Sequence, residues 1–106
     1  MTTNEFNKII NDQLEICKNT LTSKSNEYNQ DIDERLDCFK MGSNLSGLSM
    51  KKVLEGFMIK HTISIYQMLQ ENKEYDLDKW TEKITDHINY LLILKAIIIE
   101  ESKENN

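Results

Sequence analysis

Proline is absent from this 106-residue chain and glycine occurs only three times. A chain so short of turn formers is poorly equipped to reverse every ten residues, which argues against an all-β sandwich. There are two cysteines, Cys17 and Cys38, with no CxxC or Cys/His spacing between them. That pattern predicts a reduced protein whose thiols serve as small core residues. Positive charge is also scarce: 13 lysines and arginines stand against 18 acids, and Arg35 is the only arginine. The net charge of −5 argues against a dedicated nucleic-acid surface, which shows as a basic excess. Lys95 interrupts the longest apolar stretch of the last helix, far short of a membrane span. The opening MTTNEFNKII lacks a basic region followed by an apolar core, so a cytoplasmic protein is expected.

Several chemistries are missing as well. No glycine-rich loop is present to cradle phosphates, and there is no Ser/His/Asp arrangement and no HExxH helix. No stretch interleaves lysines with aromatics in the manner of single-strand binders. What remains is 39% hydrophobic and 29% charged, a composition that fits one globular domain over residues 1–106.

The apolar spacing predicts helices throughout. Thr2-Thr3-Asn4-Glu5 reads as a capping box, followed by Phe6, Ile9, Ile10, Leu14, Cys17 and Leu21 at helical intervals, so a first helix should run to about residue 28. An acidic link, 29–34, leads to a short helix carrying Leu36 and Phe39, with Gly42 expected as its C-cap and 43–48 as a mobile loop. Ser49 should cap a third helix with a main stripe of Val53, Leu54, Phe57, Met58, His61, Ile65, Met68 and Leu69. A second stripe, Ile59, Ile63 and Tyr66, lies on its other side, and two apolar faces imply cover on both. Asp78 is the expected N-cap of a last helix running to about Lys103, whose broad core face would be Trp80, Ile84, Ile88, Leu91, Leu92, Ile98 and Ile99. A different face carries Glu82, Asp86 and Asn89 for two turns, then Ile93 and Ile97. The apolar half of that stripe predicts a packing partner, for which a second copy of the chain is the economical candidate.

Chemistry, if present, must come from helix faces. Glu82, Asp86 and Asn89 form an i, i+4, i+7 ladder of oxygen ligands suited to Mg²⁺, or else a solvated face paired with neighbouring lysines. The segment KSNEYNQDIDER concentrates Lys24, Glu27, Tyr28, Asp31, Asp33 and Arg35, offering metal ligands, a ring to stack on a base and an arginine for phosphate. The same residues also suit an ordinary polar connection with Tyr28 ending the core stripe. Lys60 points about 100° away from His61 and can reach a phosphate or simply solvent. His61 itself reads as a hydrogen-bonded core residue. His87 and Tyr90 flank the ladder and fit either role.

The segments KSNEYNQDIDERLDCFKMG, KHTISIYQML and WTEKITDHINYLLIL resemble small phage and prophage proteins related to the MazG-like all-α nucleotide pyrophosphatases. They also resemble the phage nucleotide-modification-associated domain. The likeness covers roughly residues 14–100. It implies an all-α, four- to five-helix MazG-like bundle that oligomerises through its long helices and binds a nucleotide between them. In a nucleotide-binding reading of this chain, Lys24, Arg35 and Lys60 would meet phosphates, Tyr28 or Tyr90 would stack on the base, and Glu82, Asp86 and Asn89 would hold sugar or base donors. MazG-like catalysis uses an ExxE and an ExxD pair around Mg²⁺. Here Glu82 and Asp86 have ExxxD spacing, and Glu27 is followed by Gln30 with Asp31 one residue further. An incomplete cage costs phosphoryl chemistry more than binding, so the expectation is a phage-type binder that sequesters a phosphorylated nucleotide or nucleotide-derived immune signal with no required cofactor. The alternative is a Mg²⁺-dependent nucleoside triphosphate pyrophosphatase with Glu27, Asp31, Glu82 and Asp86 on the metal. A third possibility is a protein-interaction inhibitor of a host defence protein.

Overall fold

The computed structural model describes residues 1–28 and 35–104, with side chains over 1–22 and 35–103. Among the described residues the chain is all-helical: α1 (Thr3–Tyr28), α2 (Asp37–Ser46), α3 (Met50–Gln70) and α4 (Leu77–Glu104). It divides into two compact units, Met1–Asp33 and Glu34–Asn106. The acidic link and Asp31 lie outside the described residues.

The first unit is α1. Its capping box forms as expected: the Glu5 amide donates to Thr2 Oγ1 at 3.1 Å and the Thr2 amide donates to Glu5 Oε2 at 3.4 Å. Two of the four orphan amides at the helix start are thereby satisfied. One turn later Lys8 pairs with Asp12 at 2.6 Å. The stripe Phe6, Ile9, Ile10 and Leu14 stands about half-exposed.

The second unit is a hairpin of α3 and α4 with α2 laid on it. Its core gathers Leu36 and Phe39 from the start of α2, Met50 and Leu54 from α3, and Ile97 from α4. Val53, Met58, Tyr90, Ile93 and Leu94 pack against this cluster. Leu54 and Ile97 are fully buried. Phe39 meets Phe57 edge-on, with ring centroids 6.0 Å apart. Lys40 reaches Glu100 at 3.2 Å and Lys51 reaches Glu101 at 3.1 Å, tying α2 and α3 to the end of α4.

Three local expectations are corrected. Gly42 is not the C-cap of α2 but lies within it, and the helix continues to Ser46. Gly47 ends it with φ +77° and its amide donating to the Ser43 carbonyl, the left-handed conformation that a side chain resists. Gly42 has another purpose: a Cβ there would lie 2.8 Å from Val53 Cγ1, so its missing side chain sets how closely α2 approaches α3. Asp78 does not cap α4. Asp76 Oδ1 accepts from the Lys79 amide at 2.8 Å, starting the helix two residues earlier than that cap implied. Ser49, by contrast, caps α3 as expected, accepting from the Lys52 amide at 3.3 Å.

The largest correction concerns which side of α4 faces inward. Most of the expected broad core face is open: Ile84, Leu91, Leu92, Ile98 and Ile99 are 41–49% exposed, while Trp80 and Ile88 are partly buried. The stripe running from Asp86 and Asn89 to Ile93 and Ile97 faces α3 instead. Cys38 is likewise exposed rather than in the core.

Substitutions at the helical glycines test this packing. Gly42→Ala should lower stability by about 1–2 kcal/mol, because overpacking against the stiff Val53 outweighs the roughly 1 kcal/mol that alanine adds in a helix. Gly56→Ala, where nothing lies within 4 Å of the added carbon, should raise stability by about 1 kcal/mol. Urea unfolding midpoints at unchanged slope check both, and equal shifts of one sign would contradict the close α2–α3 approach.

Candidate functional site

The inverted face of α4 brings polar groups into the hairpin. Asp86, Asn89 and Tyr90 fall within about 100° of arc on α4, and the antiparallel register that pairs Lys51 with Glu101 sets them beside His61 of α3. His61 and Tyr90 rings lie 4.9 Å apart and tilted by 55°. His61 Nδ1 lies 3.8 Å from Asp86 Oδ2, with both side chains about a quarter exposed. That separation is within electrostatic reach and beyond a hydrogen bond.

Among the described residues, three buried side-chain atoms here and nearby have no hydrogen-bond partner: His61 Nδ1, His87 Nδ1 and Asn89 Oδ1. Asn89 is only 6% exposed. A buried acceptor left unmet costs about 1–3 kcal/mol, so the cluster carries a stability penalty that aliphatic residues at these positions would remove. His61 therefore departs from the expected hydrogen-bonded core histidine. It is the partner that sequence reasoning missed, since it sits on an apolar stripe of a different helix from the acids.

Tyr90 has its pKa raised above 10 by burial, then by the Asp86 carboxylate, then by Cys38. It remains a protonated donor through the neutral range. Cys38, from α2, is thus the third element within electrostatic reach of this ring. At the other end of the hairpin the turn is braced by aromatics. The Tyr75 hydroxyl donates to Glu71, its ring meets Trp80 edge-on at 6.2 Å, and Lys73 lies 5.2 Å above it.

The expected ladder divides. Asp86 and Asn89 turn inward, whereas Glu82, one turn towards the hairpin loop, is exposed. Lys60 is exposed on α3 beside His61, and Arg35 is exposed in the turn entering α2. The side chains of Lys24, Glu27 and Tyr28, and the whole of Asp31, lie outside the described residues. Among the described residues no three His, Cys, Asp or Glu side chains are grouped to hold a metal ion. No helix there is long and apolar enough to cross a membrane.

Comparison with protein-family models, curated proteins and solved structures finds no match.

Two measurements probe the cluster. As pH rises past 10, the unfolded chain's tyrosine ionises before Tyr90 of the folded chain does, so the stabilisation from this group is full below pH 10 and lost above it. Tyr90→Phe should therefore flatten the alkaline loss of stability and remove a late-titrating component from the ultraviolet tyrosinate titration; an unchanged curve would disprove the assignment. Asn89→Leu should raise stability by about 1 kcal/mol by removing the unmet acceptor, read from thermal or urea unfolding. A destabilised variant would mean that the amide is already satisfied.

Proposed function

We propose that the chain is a nucleotide-binding protein that captures a phosphorylated nucleotide or nucleotide-derived signal and releases it intact. The observation that carries this reading is the unpartnered buried His61 Nδ1 beside the Asp86 carboxylate and the Tyr90 ring, with a second such atom, Asn89 Oδ1, one turn from Asp86 on α4. A buried polar group without a partner calls for an explanation, and a ligand group that completes it is one. A ligand hydroxyl or amino group satisfies Asn89 and bridges the 3.8 Å between His61 and Asp86. Tyr90 offers its ring edge and hydroxyl to a base, and the exposed Lys60 and Arg35 supply charge for phosphates. With this reading go a MazG-like layout, assembly of more than one copy, and a counter-defence role in an infected cytoplasm. The last of these rests on resemblance alone.

The spacing of Glu82 and Asp86 favours capture over turnover. Multi-acid phosphoryl chemistry needs a complete set of convergent carboxylates, and the ExxxD spacing of these two departs from the ExxD pair of the MazG-like enzymes. The test incubates the protein, with and without Mg²⁺, with nucleoside triphosphates, cyclic nucleotides and ADP-ribose derivatives, then separates the compounds before and after heat denaturation. A compound that disappears and returns intact supports capture, and Asp86→Asn should weaken that capture at least tenfold while Glu82→Gln changes it little. Loss only with Mg²⁺, leaving a monophosphate and abolished by Glu82→Gln, would replace this reading with the pyrophosphatase. No capture of any compound would leave an inhibitor acting through protein contact.

A further inference from the structure

The outward side of α4 carries a strict seven-residue repeat. Leu77, Ile84, Leu91 and Ile98 recur at every seventh position, and all are exposed, from 41% at Ile84 to 78% at Leu77. Leu92 and Ile99, each one residue beyond the last two, are 47% exposed. Four apolar residues spanning three heptads, with Ile88 at the intervening core position, form a stripe that a helix can present to another helix along its length. The inward side of α4 cannot account for it, since that side is filled by Asn89, Tyr90, Ile93 and Ile97 against α3. A helix apolar on both sides is an interior helix of a bundle.

We infer that this face of α4 is the seam at which two copies of the chain join, α4 against α4, as a two-fold pair. The area argues for a second copy. The six side chains expose roughly 500 Å² of apolar surface, in the upper part of the range that the largest apolar patch of a monomer reaches. A standard interface buries about 800 Å² a side, roughly three-fifths of it apolar, which these side chains supply. A two-fold contact also needs a self-complementary surface, and a ridge of aliphatic residues at constant spacing fits its own copy. One charge interrupts the seam. Lys95 occupies the core position between Leu91 and Ile98, is exposed, and has no ion-pair partner among the described residues. A lysine at one such position weakens a helix pair while selecting its register.

The inference deepens the reading above by naming the surface that joins the copies. It shares only the assembly, not the ligand. Sedimentation equilibrium of the full chain without nucleotide should show a dimer. Leu91→Lys should raise the dissociation constant at least 100-fold while leaving the helical circular dichroism unchanged, because position 91 faces outward in the single copy. Lys95→Leu should lower the constant at least tenfold, a gain that misfolding cannot imitate. A monomer at about 100 µM, a dimer indifferent to either substitution, or dissociation by Ile63→Lys but not by Leu91→Lys would overturn it. Since no nucleotide is present, failure here leaves capture untouched, and failure of capture leaves the seam standing.

Discussion

The arrangement of the second unit depends on the burial of Leu54 and Ile97 in one apolar cluster. These two side chains are fully excluded from water, and removing either would leave a cavity in the place where α2, α3 and α4 meet. Their burial fixes both the register of the hairpin and the rotation of α4 about its axis. With Ile97 turned inward, Ile93, Asn89 and Asp86 follow it at helical spacing, whatever their own polarity. The polar cluster is thus a consequence of apolar packing two and three turns away, and the same rotation delivers His61 to Tyr90.

The helices themselves were largely legible, because long amphipathic segments carry redundant periodicity. Thr2 with Glu5 and Ser49 with Lys52 behaved as their residue types require, each a side-chain oxygen one turn before a free amide. The failures were choices between chemically similar neighbours. Gly42 and Gly47 both suit a helix end, and only the approach of Val53 shows why the first is glycine for space and the second for φ. Asp76 and Asp78 both suit an N-cap, and the Lys79 amide selects the earlier one.

The face of α4 was harder to read for a definite reason. Periodicity reports which residues share a side but not which neighbour each side meets, and α4 has two apolar sides. The stripe with more aliphatic residues was the natural core, yet the stripe holding Ile93 and Ile97 took the position against α3. The candidate site suffers from the same ambiguity. Asp86 and Asn89 were visible in a ladder with Glu82, flanked by Tyr90, whereas His61 looked like part of an apolar stripe because its partners lie on another helix. Glu82 looked equivalent to Asp86 in spacing and is separated from it only by its place nearer the hairpin turn.

The uneven placement of the core along the hairpin has a bearing on how the chain reaches this state. The main apolar cluster lies at the end remote from the Glu71–Asp76 turn, while the segment near the turn holds the buried Met68 and the Tyr75–Trp80 ring contact. Most of the contacts that repay ordering are therefore far apart in sequence, and closure outward from the turn gains only a part of the stabilisation before Leu54 meets Ile97. The search for Leu54 by Ile97 must precede most of the gain, which slows formation relative to a hairpin cored beside its turn. The same logic makes the turn tolerant of added length. Closure entropy grows only with the logarithm of a loop that is already long, so a few extra residues after Glu71 change it by roughly a tenth of a kcal/mol.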